Sequence, residues 1–300
     1  MNFSIKPAVL ALRPKQWTKN AVVLAALIFA LGDKKQDVHF SASLLTAIGA
    51  TIIFCIVSST VYLLNDLKDV EQDRQHPVKR LRPIASGALP VPVARAMFFL
   101  FACGGLGAAW FITRQFFAVT LAYFIVQIFY TFGLKRVALV DIFIISAGFV
   151  MRALAGAVAI NVRISEWLLL CTLLLSLFLA LCKRRHELVI MNDGGGETRA
   201  SLRQYNEKVL DQLIAMIGGA TMICYSLYTL WPETVDRFGT KKLGFTIPFV
   251  IFGIFRYVDN VYRKELGGRP EQILLTDRTL LIDIALYAAT VIAIFISLQH

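Results

Sequence analysis

Nine apolar runs of about twenty residues each, separated by short charged gaps, constrain this chain more than any other feature of it. They lie near residues 20–36, 40–64, 93–112, 115–134, 138–160, 165–182, 209–231, 243–262 and 278–298. A helix crossing the ~30 Å hydrocarbon core of a bilayer needs about 20 mostly apolar residues, and a helix satisfies its own backbone polar groups inside lipid. The pattern predicts an all-α membrane protein with nine transmembrane helices, a single integral domain over residues 1–300. Composition agrees, because only 17% of residues are charged and 57% are apolar, whereas a soluble domain carries about 25% charged residues. Disordered chains, disulfide-rich secreted scaffolds and ordinary soluble enzymes are excluded on that ground. The third and fourth runs, and the fifth and sixth, are joined by very short turns and predict helical hairpins.

Lys and Arg placement sets the expected orientation. With the N-terminus in the cytoplasm, 22 of the 31 basic residues fall on the cytoplasmic side and seven on the other, with Arg95 and Arg152 in neither group. The expected topology is therefore N-terminus in, C-terminus out, with LRPKQWTKN leading into a retained first helix rather than a cleaved signal peptide. The net charge of +11 sits in short gaps beside apolar runs, which points to anionic headgroups and phosphorylated substrates and away from nucleic acid. Cys55, Cys103, Cys171, Cys182 and Cys224 are scattered and read as small core residues, with no metal or disulfide spacing.

Two cytoplasmic loops, about 65–92 and 183–208, hold nearly all the chemistry-capable residues. The first begins NDLKDVEQDRQHPVKRLRPIASG. Asn65, Asp69 and Asp73 are spaced i, i+4, i+8, so on a continuing helix they fall at about 0°, 40° and 80°, with Asp66 beside them at about 100°. Three carboxylates and an amide converging at a membrane edge repel one another unless a cation lies between them, and hard oxygen donors of this kind suit Mg²⁺. The alternative is a solvated helix end whose acids pair with Lys68 and Arg74. Lys79, Arg80 and Arg82 follow directly, in a turn stiffened by Pro77 and Pro83. Metal-binding acids followed by cations match the needs of a diphosphate.

The pattern NDxxDxxxD after the second of nine helices resembles the UbiA superfamily of intramembrane prenyltransferases. LRPKQWTKN, NDLKDVEQDRQHPVKRLRPIASG, YTFGLKRVALVDIFIISAGFVMRALAG and the tail GGRPEQILLTDRTLL are similar to one branch of it, the decaprenyl-phosphate phosphoribosyltransferases. The resemblance covers about residues 12–290. It implies a UbiA-like helical bundle with a cytoplasmic active-site mouth, in a bacterial inner membrane. For some members it implies supply of cell-wall arabinan precursors.

The chain departs from the aromatic-substrate members of the superfamily at their second acidic motif, DxxxD, at the end of the sixth helix. Here the sequence reads KRRHE: Lys183 replaces the first acid and Glu187 keeps the second position. One acidic motif facing Lys183, Arg184 and Arg185 suits a donor with a phosphate away from the metal. Phosphoribosyl diphosphate has such a 5-phosphate, and a polyprenyl phosphate acceptor brings a further one. The turn before the fifth helix adds Tyr130, Lys135 and Arg136, then Asp141; Lys135 holds phosphate or simply anchors the turn. Arg152 lies well inside an apolar helix, three turns from Asp141 on nearly the same face, and there it is paired, lines a polar cavity, or snorkels outward. Gly148 and Gly156 near that face allow close helix approach. Lys15 and Lys19 flank Trp17, an interfacial anchor or a lid over the lipid phosphate. His76 reads as structural and Asp277 as a helix cap; Tyr205 and Asp211 resemble family positions without an assignable role.

The expected function is Mg²⁺-dependent transfer of a 5-phosphoribosyl group from phosphoribosyl diphosphate to a polyprenyl phosphate, releasing diphosphate. Asn65, Asp66, Asp69 and Asp73 are the expected metal ligands, and Asp69, Asp73, Lys79 and Arg82 the catalytic group. Lys15, Lys79, Arg82, Tyr130, Lys135, Asp141, Arg152, Lys183, Arg184 and Glu187 are the expected substrate and phosphate contacts. The nearest rival is an aromatic-acceptor prenyltransferase, which KRRHE disfavours. A transporter is a more distant one, since transporters tend to place ionisable groups at the midplane of repeated halves.

Overall fold

Two helices outrun the membrane, and the residues of interest ride on their overhangs. In the computed structural model, which describes residues 5–33, 36, 39–192, 200–263, 273 and 276–297, α3 (Phe40–Lys68) has 29 residues and α8 (Glu166–Asn192) has 27. At 1.5 Å per residue these are about 44 and 40 Å long against a ~30 Å hydrocarbon core. Asn65 and Asp66 lie in the last turn of α3, and Lys183 to Glu187 on the last turns of α8. KRRHE therefore sits on a helix rather than in the expected loop. No strand occurs among the described residues.

The remaining helices are α1 (Ile5–Ala11), α2 (Ala25–Gly32), α4 (Val70–Gln75), α5 (Val91–Ile112), α6 (Arg114–Phe132), α7 (Val140–Ala159), α9 (Glu207–Leu230), α10 (Pro232–Phe238), α11 (Ile247–Arg263) and α12 (Arg278–Ile296). Seven of the described helices, α3, α5, α6, α7, α8, α9 and α12, are long and apolar enough to span a bilayer. The stretch Lys242–Arg263 together with α10 is an eighth candidate, a broken span or a re-entrant loop bent by 104°. That bend falls at Gly239, whose φ of 68° closes α10. The first expected span is built in two pieces, a 3-10 stretch Pro14–Leu24 followed by α2.

The expected hairpin of α5 and α6 turns on the single residue Thr113, whose Oγ1 accepts from the N–H of Phe116 at 2.9 Å. Lys34, Lys35, Arg199, Lys264, Arg269 and the tail residues 267–272, which entered the charge count and the resemblance, lie outside the described residues.

The chain forms two compact units. The first comprises residues 1–31, 38–135 and 148–164; the second comprises 32–37, 136–147 and 165–300. In the first, Phe54, Val57, Ala109, Phe116 and Tyr123 form the core. A smaller cluster of Leu63, Ile84, Leu89 and Ala94 lies under the end of α3. In the second, Phe178, Leu181, Leu210, Ile214 and Tyr257 pack together. Large apolar side chains such as Leu45, Phe99, Phe111, Met216 and Ile282 are exposed, as lipid-facing positions are.

Candidate active site

The acidic stripe is split between two basic side chains. The helix interrupts at Asp69 (φ −97°, ψ 10°) and resumes as α4 at Val70. The i+4 backbone bonds Asp69 N–H to Asn65 O and Asp73 N–H to Asp69 O nevertheless persist, at 3.0 and 2.8 Å. Asn65 and Asp69 then face Lys135, whose Nζ donates to Asn65 Oδ1 at 2.9 Å and to Asp69 Oδ2 at 2.5 Å. Asp66 and Asp73 face Arg82, whose Nη1 lies 3.0 Å from Asp66 Oδ1 and 2.6 Å from Asp73 Oδ2. Asp66 Oδ1 also accepts from Arg13 Nη2 at 2.5 Å. Asp66 and Asp73 are each 3% exposed, so both carboxylates depend on these donors for the solvation they have lost.

Local chemistry explains how each cation arrives. Arg13 occupies the left-handed region (φ 52°, ψ 60°) at the head of the Pro14–Leu24 stretch, a conformation sparsely used by non-glycine residues. Its guanidinium lies 4.8 Å above the Tyr62 ring. Arg82 ends a 3-10 turn, Lys79–Leu81, and donates its own N–H to Lys79 O at 2.9 Å. Behind it Pro83 O accepts from Leu89 N–H at 2.8 Å, and the buried Ile84 and Leu89 pin the loop to the core. His76 stands at the head of this turn, its Nδ1 accepting from the N–H groups of Val78 and Lys79 at 3.2 and 3.3 Å. Partial burial lowers its pKa, with Lys79 acting in the same direction, which suits the neutral acceptor form. His76 is structural, as expected. Lys79 is half-buried, and Arg80 and Lys15 are exposed.

This donor set fits a divalent ion by chemistry, hard oxygens on short side chains. The basic groups already stand where a cation belongs, Lys135 in one notch and Arg82 in the other. The four side chains form two pairs, however, rather than one cluster. Among the described residues, no three His, Cys, Asp or Glu side chains are close enough to share an ion.

The second unit holds its own polar centre. Asp141 is fully buried, with Arg184 Nε 3.3 Å from its Oδ2. Tyr205 donates its hydroxyl to Asp141 Oδ1 at 2.6 Å and accepts from the Leu139 N–H at 2.7 Å. Arg184, 1% exposed, also pairs with Glu187. Burial pushes the Tyr205 phenol up, reinforced by the carboxylate it donates to, so it stays a donor. Gln204 brackets the same turn, donating to Arg136 O at 3.1 Å and accepting from Ala138 N–H at 3.3 Å. Arg185 binds Asp211 at 2.6 Å and Glu207 at 3.1 Å and stacks 4.1 Å from the Tyr262 ring. Lys183 is half-buried on α8, and Tyr130 is half-buried on α6.

Sequence reasoning missed Arg13 and gave Tyr205 no role. The only local signal for Arg13 was its place beside Pro14, because the contact with Asp66 spans 53 residues. Arg152 does not snorkel: it is 6% exposed and bonded inside the first unit.

An all-α, multi-pass membrane bundle with an acidic helix end clamped by basic side chains defines a class of intramembrane proteins. The chain belongs to the UbiA prenyltransferase family, whose sequence pattern it matches over residues 20–186. Over nearly its whole length it is similar to the decaprenyl-phosphate phosphoribosyltransferase of Mycolicibacterium smegmatis, at 37% identity over 288 residues, covering 94% of this chain and 90% of the relative. The protein of the same description from Corynebacterium glutamicum is 35% identical over 294 residues, 95% of this chain and 86% of that one. A UbiA homologue from Archaeoglobus fulgidus, solved with DMAPP and Mg²⁺, shares the fold with a TM-score of 0.68 at 17% identity, covering 95% of this chain and 97% of its own.

Proposed function

We propose that this protein transfers the 5-phosphoribosyl group of phosphoribosyl diphosphate to a polyprenyl phosphate of the decaprenyl type, releasing diphosphate. The observation that carries the reading is the similarity, at 35–37% identity over more than nine-tenths of the chain, to relatives described as decaprenyl-phosphate phosphoribosyltransferases. The basic KRRHE stretch supports it, because an allylic diphosphate has no extra phosphate for Lys183 to meet.

The anomeric C–O bond to diphosphate breaks, its electron pair leaving with the diphosphate. An oxygen of the lipid phosphate forms the new bond from the opposite face, inverting the configuration. That oxygen is already anionic, so no general base is required, and placement is the main task. Arg82, Arg13 and Lys135 hold the Asn65, Asp66, Asp69 and Asp73 oxygens in place, and with Lys79 they supply positive charge where the diphosphate leaves. The oxygens of each pair, Asn65 with Asp69 and Asp66 with Asp73, would hold Mg²⁺, which would supply charge neutralisation to the leaving group. Lys183 takes the donor's 5-phosphate, Lys15 the lipid phosphate, and Tyr130 is a further substrate contact. Asp141, Arg184 and Glu187 are occupied with one another and brace the second unit. The site opens to the cytoplasm of an inner membrane, with the prenyl tail among the apolar helices.

The test incubates purified protein and Mg²⁺ with labelled phosphoribosyl diphosphate and a polyprenyl phosphate. Label entering the lipid phase supports the reading. Prenylation of an aromatic acid from an allylic diphosphate, without labelled lipid, overturns it.

A further inference from the structure

We propose that Arg152 is a positioning residue: acting through Asn20, it seats the Pro14–Leu24 stretch along α3 so that Arg13 reaches Asp66. The inference rests on the reading of the Asn65–Asp73 helix end as the reaction centre. Arg152 lies about 18 Å along α7 from Val140, and no carboxylate is within ion-pair distance of it among the described residues. Neutral acceptors hold it instead: Asn20 Oδ1 at 2.8 Å from Nε, Gly148 O at 2.7 Å from Nη1, and Tyr123 Oη at 3.0 Å from Nη2. The rings of Tyr123, Phe149 and Phe54 lie 4.9, 5.3 and 5.5 Å from its guanidinium carbon. A charge kept at such depth is costly and marks a role. Of its three hydrogen-bond partners, Tyr123 and Gly148 belong to spanning helices; only Asn20 belongs to the 3-10 stretch.

Asn20 is buried and its amide is fully used, with Nδ2 donating to Ser58 Oγ at 3.1 Å and Cys55 Sγ at 3.2 Å on α3. Further along the stretch, Trp17 Nε1 donates to Ser59 Oγ at 2.9 Å, and Ser59 Oγ donates to Leu12 O at 2.8 Å. The contacts climb α3 through positions 55, 58 and 59 to Asp66. An 11-residue 3-10 stretch far exceeds the usual three or four residues of that conformation and depends on tertiary support. So does the left-handed Arg13, which persists only where its flanks are fixed. Arg152 and Gly156 share one face of α7, at i and i+4. Gly156 leaves room for the Val23 carbonyl, which any Cβ there would meet at 1.9 Å. Lysine would not serve at position 152, because one ammonium cannot reach three acceptors in three directions.

The test uses the full chain in lipid nanodiscs, with Trp17 as its sole remaining tryptophan. Arg152→Gln and Asn20→Ala should shift Trp17 emission to the red without substrate, while Tyr123→Phe, which keeps the Arg152–Asn20 bond and loses only an acceptor on a spanning helix, should not. In turnover, Asn20→Ala should lower kcat about tenfold with the donor KM within about threefold, as Arg13→Ala should, and the double variant should be no worse than Arg13→Ala. Additive losses in the double variant, or unchanged Trp17 emission in Asn20→Ala, overturn the proposal. If Arg152→Gln does not accumulate folded, Asn20→Ala and Tyr123→Phe carry the test alone. A wild-type protein that moves no phosphoribosyl group overturns the functional reading and leaves the emission test standing.

Discussion

Gly156→Ala isolates the close approach on which the seating of the N-terminal stretch depends. The added methyl would lie 1.9 Å from the Val23 carbonyl oxygen, 2.8 Å from its carbon and 3.2 Å from its Cα. All three are backbone atoms, so no rotamer change relieves the clash. The stretch must retreat by about 1.5 Å to restore ordinary contact, in an interior packed at crystal-like density. Overpacking costs about 1–3 kcal/mol, and a clash against backbone belongs at the upper end. Alanine's helical advantage over glycine returns about 0.5–1 kcal/mol, leaving a net loss of about 2 kcal/mol. At about 2–4 °C per kcal/mol for chains of this order, purified Gly156→Ala should melt roughly 4–8 °C lower than wild type. Gly219→Ala, in α9 with nothing within 4 Å of the new methyl, is the control and should melt at or slightly above wild type. Equal melting of both variants would refute the packing of the stretch on α7.

Asp69→Asn should abolish most turnover while the protein stays folded, since Asp69 sits mid-stripe against Lys135. Near-normal activity with unchanged Mg²⁺ dependence would remove the stripe from the reaction. Lys183→Ala should weaken donor binding by about 1.5–3 kcal/mol, roughly 10- to 150-fold, measured by titration with phosphoribosyl diphosphate; an effect equally large on a donor lacking the 5-phosphate would contradict its assignment. A cysteine placed in the 183–208 segment should react with an impermeant thiol reagent only from the cytoplasmic side, and one in 232–242 only from outside; the reverse pattern would invert the topology.

Hydropathy and spacing made most of the bundle legible, because a membrane span is a local property of some twenty residues. The Thr113 hairpin and the acidic run after α3 were read at the right places for that reason. Local patterns also misled where conformation, not hydropathy, decides. The apolar run from 20 opens as a 3-10 stretch, the run from 243 is preceded by a 104° bend, and α8 carries KRRHE on helix. Contacts between residues far apart in sequence were invisible. Lys135 meets Asp69 across 66 residues and Arg152 meets Asn20 across 132. Pairings of that kind turned one expected four-ligand cluster into two clamped pairs, and made Arg184 a buried partner of Asp141 rather than an open phosphate contact. Gly148 and Gly156 were legible as close-approach positions, but not what approaches them.

The central claim is the identity of the transferred group, and transfer itself tests it most directly. Purified protein with Mg²⁺, phosphoribosyl diphosphate labelled in the ribose and a polyprenyl phosphate should yield organic-soluble label together with one diphosphate per ribose transferred. Hydroxybenzoate-type acceptors should stay unmodified. Aromatic prenylation from an allylic diphosphate, with no ribose label in the lipid, would contradict the account.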